Sequence, residues 1–256
     1  MEILEELKVL DQPVDNPPQV RYQFKSLPGS SHSWALQHLL ADITDKSMLD
    51  VGAGGGTIGR IVRSHKPQNM TAVEIDIRAH DTLRTTYDSV VTGLESLENS
   101  RFDWIVALDI LEHLTNPEEY LKHLRKLLAP GGRILLSVPN VAHWSVRFPL
   151  FFFGSFEYRS IGIMDASHLY FFTRKRFQRL CASLEQIEIT ELSASIEPFE
   201  LALPKWVGKN WVYRSLIPLR HTCARLFPGL LAYQHLALIK STDTDEYQSE
   251  LVEIRP

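Results

Sequence analysis

The run LDVGAGGGTIG at 49–59 constrains this chain more than any other feature. Gly52, Gly54, Gly55 and Gly56 follow an apolar stretch at 48–51 and precede a segment with helical spacing, 57–65. Glycines so placed suit a tight turn, because a bulky side chain there would hold the backbone away from a ligand. A helix that opens on such a turn presents unpaired amides and partial positive charge, which suit a carboxylate or a phosphate. A strand, a turn and a helix in that order belong to a parallel sheet, and the flanking sequence repeats the alternation. Helices are expected at 33–42, 57–65, 77–87, 117–128 and 174–183. Strands are expected at 48–51, 70–74, 89–92, 103–108, 133–138, 186–192 and 235–240. The predicted fold class is therefore α/β, a doubly wound, mostly parallel seven-stranded sheet with helices on both faces.

The glycine turn alone leaves two cofactor classes open. Gly54, Gly56 and Gly59 satisfy the GxGxxG spacing of dinucleotide-binding turns, and Glu74 follows Gly54 at the distance of a ribose-binding acid. Asp50 favours the other class. At the strand end it would repel a pyrophosphate, while it would attract an amino group on the methionine moiety of S-adenosylmethionine. Glu74 serves either cofactor, since its two oxygens can accept both ribose hydroxyls. A nicotinamide oxidoreductase, or a non-catalytic binding protein of the same fold, is the alternative to a methyltransferase.

Four segments occur in order: MLDVGAGGGTIGR, TAVEID, FDWIVALDILEHL and LRKLLAPGGRILLSVPN. With these, residues 45–194 resemble the class I S-adenosylmethionine-dependent methyltransferases, whose fold is Rossmann-like. The resemblance implies that Asp50, Gly52, Ala53, Gly54 and Gly56 line the methionine end of the cofactor. It places Glu74 and Ile75 at the ribose and Asp109 beside the cofactor after the fourth strand. Where relatives often carry an acid for the adenine amine, this chain has Gly93, Leu94 and Glu95, so adenine is expected against the Leu94 backbone.

Transfer of a methyl group to a hydroxyl needs alignment and a base, and histidine is the usual base at neutral pH. His113 after the fourth strand and His168 in DASHLYFFT are the candidates, with Asp165 expected to orient His168; His143 is a weaker one. Asp109, Glu112 and His113 stand at i, i+3 and i+4, one helical face if a helix begins there. The segment resembles the ExxEH segment of ubiquinone-biosynthesis O-methyltransferases, which implies magnesium, although Asp109 replaces the first glutamate. A structural role for these side chains is the competing reading.

Outside the alternating core, residues 1–30 are expected to be extended, 139–172 to cap the sheet without clear period, and 241–256 to form a mobile tail. They frame a domain at 31–240 with a helical insert at 195–234. Residues 201–242 contain no Asp or Glu but carry Lys205, Lys209, Arg214, Arg220, Arg225 and Lys240, interleaved with Trp206, Trp211 and Tyr213. Val212, Leu216, Leu219, Cys223 and Leu226 fall at helical spacing, and Pro218 implies a break or kink. The insert is expected to act as a lid or to touch an anionic membrane surface, admitting a small or lipid-linked substrate. A net charge of -4 argues against a nucleic-acid partner. Two cysteines without metal-ligand spacing, and an acidic start unlike a signal peptide, point to the cytoplasm, with peripheral contact at the membrane surface.

Overall fold

The computed structural model describes residues 28–196 and 211–243. The extended N-terminal segment, the tail beyond 243 and the insert at 197–210 therefore lie outside the described residues, apart from Pro28–Ser30 and Ser241–Asp243. In chain order the elements are α1 (Ser31–Leu40), β1 (Ser47–Val51), α2 (Thr57–Arg63), β2 (Asn69–Val73), α3 (His80–Leu83), β3 (Ser89–Val91) and β4 (Phe102–Leu108). There follow α4 (Pro117–Lys126), β5 (Leu128–Pro139), α5 (Trp144–Phe153), α6 (Arg174–Ala182), β6 (Ile187–Ser195), α7 (Trp211–Leu226), α8 (Pro228–Leu231) and β7 (Gln234–Ser241).

The strands form one seven-stranded sheet in the order β3-β2-β1-β4-β5-β7-β6. All neighbouring pairs are parallel except those of β7, which runs antiparallel to β5 and β6. The pleat sends alternate residues to opposite layers. Leu49 and Val51 of β1, Ile105 and Ala107 of β4, and Leu136 of β5 join the cluster that holds Leu121 and Phe177 of α4 and α6. Met48, Trp104, Val106 and Leu135 join the cluster that holds Leu36 of α1, Val62 of α2 and Leu83 of α3. Both faces of the central strands are covered, so their residues are mostly apolar, with Asp50 and Ser137 as buried polar exceptions.

Strand order reverses between β1 and β4. Ligands of open α/β sheets bind at such a switch, beyond the carboxyl ends of the strands. The glycine turn leaves β1 there, and Asp109 leaves β4 beside it.

Three local expectations differ from the structure. The helix at 77–87 is a 3-10 turn at Ile77–Ala79 followed by the short α3. Thr82, Thr85 and Thr86 disfavour continuation, since β-branched side chains lose rotamers in a helix. The cap contains α5, whose residues are apolar nearly all round and so give no amphipathic period. His143 accepts from the Ser145 amide at its start, and Gly154 closes it in the left-handed conformation at φ 61. Pro218 does not divide the insert helix, because α7 runs through it from Trp211 to Leu226.

Candidate active site

At the end of β1 the Gly52 amide donates to the Val73 carbonyl at 2.8 Å, which ties the turn to β2. Gly52, Gly54 and Gly56 have φ of 71°, 53° and 71°. A Cβ on Gly52 would stand 2.2 Å from Ile110 Cδ1, so Ile110 would have to shift, and the positive φ would strain any side chain there. Glu74, just beyond β2, braces the loop. Its Oε2 accepts from the Gly54 amide at 2.8 Å and its Oε1 from the Asp76 amide at 2.9 Å. A carboxylate has about four lone-pair sites, so this bracing leaves capacity for a diol.

Asp50 is buried on the α2 side of β1, and its Oδ2 accepts from the Tyr87 hydroxyl. The Tyr87 oxygen in turn accepts from the Gly59 amide at 3.1 Å. This explains how α2 manages with a glycine at its N-cap: Gly56 offers no side-chain acceptor, and the hydroxyl of Tyr87 satisfies one of the first amides instead. Burial pushes the Asp50 carboxyl up to about 6; the negative charge of Glu74 adds to this, and the Tyr87 hydrogen bond opposes it. Burial, with Asp50 beside it, holds the Tyr87 phenol well above its usual range. Tyr87 escaped the sequence reading. Its one trace there was Gly59, where a Cβ would lie 2.3 Å from the Tyr87 ring.

Asp109 stands just after β4, beside the glycine turn, with φ 56. Its Oδ1 accepts from Ser137 Oγ at 2.6 Å, and Gln234 Nε2 donates to both carboxylate oxygens at 2.6 Å. Ser195 Oγ donates to Gln234 Oε1 at 2.8 Å, which fixes the amide's orientation. Gln234 was also missed, because β7 joins the sheet next to β5 from far along the chain.

A cleft of about 1540 Å³ connects these groups. Asp50, the glycine turn, Glu74, Ile75 and Leu94 line it together with Asp109, Glu112, His113, His168 and residues of the cap. Leu94 is buried at the start of a 3-10 turn, whereas Ile75 is 85% exposed.

His113 and His168 pack edge to face, with ring centroids 4.8 Å apart. The Nδ1 of His168 lies 3.0 Å from the Ile163 carbonyl oxygen, and that of His113 lies 3.2 Å from the Ser167 carbonyl oxygen. A carbonyl only accepts, so both Nδ1 atoms carry the proton and both Nε2 atoms carry the lone pair. Burial lowers the pKa of His168, and the positive form of His113 would lower it further. The Ile163 hydrogen bond and the charges of Asp165 and Asp109 oppose the shift.

The expected orientation of His168 by Asp165 is therefore corrected: the ring is held by Ile163. Asp165 is fully buried and accepts from the Ser167 amide and hydroxyl at 2.8 and 2.6 Å. Ser167 Oγ lies 3.2 Å from His113 Nδ1, so Asp165 bears on His113 through that serine. His143 is buried, and burial pushes it down to about 4; it caps α5.

The expected face of Asp109, Glu112 and His113 is not formed. Leu111–His113 is a 3-10 turn, and the Asp109 oxygens already accept from Ser137 and Gln234. The donors brought together are Glu112, His113 and His168, within 4.8 Å of one another. One carboxylate and two imidazoles do not suit magnesium, which takes oxygen ligands. The residues therefore do not fit that ion.

A family model described as a methyltransferase domain matches residues 33–184, more than half of the chain. The chain belongs to the methyltransferase domain family. The family is that of methyltransferase domains, and the mostly parallel seven-stranded sheet is the Rossmann-like fold. It is 29% identical over 114 residues to a ubiquinone biosynthesis O-methyltransferase of Rickettsia bellii, covering 39% of this chain and 44% of that protein. The chain thus spans less than half the length of this curated relative. A methyltransferase structure from Mesorhizobium loti aligns over 83% of this chain and 98% of its own, with TM-score 0.53 and 12% identity. The N-methyltransferase NodS of Bradyrhizobium japonicum, solved with S-adenosyl-L-homocysteine, aligns over 94% of this chain and 98% of its own, with TM-score 0.51 and 16% identity. At such identities these two structures speak for the fold.

Proposed function

We propose that this methyltransferase transfers the methyl group of S-adenosylmethionine to a hydroxyl oxygen of a small or lipid-linked acceptor. The observation that carries this reading is the one cleft that Glu74 and the glycine turn share with His113 and His168. Glu74 and Ile75 would hold the cofactor's ribose, Leu94 its adenine, and Gly52, Ala53, Gly54 and Gly56, near Asp50, its methionine end. Asp109 stands between cofactor and acceptor, fixed by Ser137 and Gln234.

In the reaction the acceptor oxygen forms a bond to the methyl carbon as the carbon–sulfur bond breaks, and sulfur keeps the electron pair. The acceptor proton passes to Nε2 of His168 or His113. Burial lowers the pKa of His168, which keeps its ring able to accept a proton, as a base must. The likeness to the O-methyltransferase of Rickettsia bellii supports an oxygen acceptor. An apolar cap around the cleft supports an acceptor with an apolar body.

Mass spectrometry of a cell extract incubated with the protein and methyl-deuterated cofactor tests the reading. A labelled ether or ester is expected, and its formation should fail with His113→Gln or His168→Gln. Label appearing only on nitrogen or carbon would refute the oxygen acceptor.

A further inference from the structure

The largest feature that the cleft does not absorb is the outer end of α5. Phe148, Leu150, Phe151, Phe152 and Phe153 are all exposed, Phe151 at 81% and Phe153 at 83%. Among the residues of α5 only Val146 is buried. At about 100° per residue, and taking Phe148 as zero, the other four point to roughly 200°, 300°, 40° and 140°. No side of the last turn and a half is polar. Phe148, Phe151 and Phe152 stack on one another at the tip, with centroids 5.0 and 6.2 Å apart.

A soluble monomer rarely exposes so continuous an apolar surface. A helix that is apolar all round needs an apolar medium all round, and a partner's flat face would cover one side only. Charge on the page names the medium further. From residue 140 to 156 there is no Asp or Glu, and the sole Lys or Arg is Arg147, which is exposed. Arg147 Nη2 donates to the Gly229 carbonyl at 3.2 Å and so joins α5 to α8. Just before α8 come exposed Arg225, Leu226 and Phe227, within the stretch 201–242 that lacks any acid. An apolar tip with a cationic base matches acyl chains beneath anionic headgroups. With ten residues, α5 is about 15 Å long, half of what a bilayer core requires.

We infer that α5 is a membrane-docking element that inserts its phenylalanine tip into the acyl layer of an anionic bilayer. Val146 and Pro149 of the same helix line the cleft, so docking sets the mouth of the cleft on the bilayer surface. Docking stands on the exposed surface alone; delivery of a lipid-linked acceptor through that mouth rests on the proposed function. Membrane contact, assigned from sequence to the basic insert, thus centres on the cap.

The test is flotation of the full chain with phosphatidylcholine vesicles, with and without phosphatidylglycerol, at low and high salt and with no cofactor or acceptor present. Wild-type protein floats with the anionic vesicles. F151S/F153S lowers its partition coefficient at least tenfold, with circular dichroism and S-adenosylhomocysteine binding unchanged. R147Q/R225Q loses the salt-sensitive gain from phosphatidylglycerol and keeps the weaker neutral binding. No flotation of the wild type, or equal flotation of F151S/F153S, overturns the inference. So does a self-associating wild type that ignores vesicles and becomes monomeric in F151S/F153S, which would mark the tip as an interface between copies. Vesicle binding by a protein that methylates nothing refutes the proposed function and leaves the docking intact.

Discussion

Replacing Asp50 by asparagine should stabilise the fold while weakening the cofactor site. Asp50 is buried, and its carboxyl is pushed up to about 6 from an ordinary 3.8, mainly by burial. A raised carboxyl pKa means that the folded state holds its proton more tightly than the unfolded chain. The stability cost is therefore absent well below 3.8, grows between about 4 and 6, and is fully present above 6. At pH 7 the difference corresponds to about 3 kcal/mol, and at pH 4 to less than about 1 kcal/mol. Asparagine removes the charge and keeps an oxygen for the Tyr87 hydroxyl. Urea unfolding should show Asp50→Asn more stable than the parent at pH 7, by up to about 3 kcal/mol, with the gain mostly gone at pH 4. Calorimetric titration at pH 7 should show S-adenosylmethionine binding weakened by about tenfold or more, since a charge facing the methionine amino group is lost. A variant that is destabilised equally at both pH values would refute this account of Asp50, as would unchanged cofactor affinity.

Tyr87→Phe takes a donor from Asp50 and an acceptor from the Gly59 amide, and should cost about 2 kcal/mol in denaturant unfolding; a neutral result would mean that water replaces the hydroxyl. Gly52→Ala should abolish measurable cofactor binding, because its Cβ meets Ile110 Cδ1 at 2.2 Å and its φ is 71°; Ile110→Ala should restore space but not the conformation, giving partial recovery by titration. His168→Gln should lower kcat by about 10²–10⁴. If His168 is the base, its lowered pKa puts the acid limb of the parent's rate profile below the usual histidine range, with activity level through neutral pH; a midpoint at or above 6.5 would exclude it. Magnesium should leave the thermal midpoint unchanged, since Asp109 is committed to Ser137 and Gln234; a saturable upward shift would show that the ion binds.

The glycine turn and the acid that braces it were legible in the sequence because their constraints are local. A strand, three glycines at positive φ and an acid after the next strand lie within residues 47–74, and backbone hydrogen bonds together with the Glu74 carboxylate bring them together. The sheet was legible for a similar reason: buried strands leave short apolar runs. Partners that meet through tertiary packing were not legible. Tyr87 reaches Asp50 and Gly59 from beyond α3, and Gln234 reaches Asp109 from the last strand. The spacing of Asp109, Glu112 and His113 suggested a helical face, but Leu111–His113 is a 3-10 turn and the Asp109 carboxylate accepts from Ser137 and Gln234. His168 arrives instead from the cap, where Leu169 and Tyr170 donate their amides to the Glu112 carbonyl at 2.8 and 3.0 Å. The helix α5 stayed hidden because its phenylalanines have no polar face to mark a period.

The central claim is that the glycine turn and Glu74 hold the methyl donor. Calorimetric titration of S-adenosylhomocysteine and of NAD into the parent and into Glu74→Ala tests it most directly. One S-adenosylhomocysteine per chain, little heat from NAD, and a large loss of affinity in Glu74→Ala are the results expected. Equal affinity in the variant, or preferential binding of NAD, would contradict it.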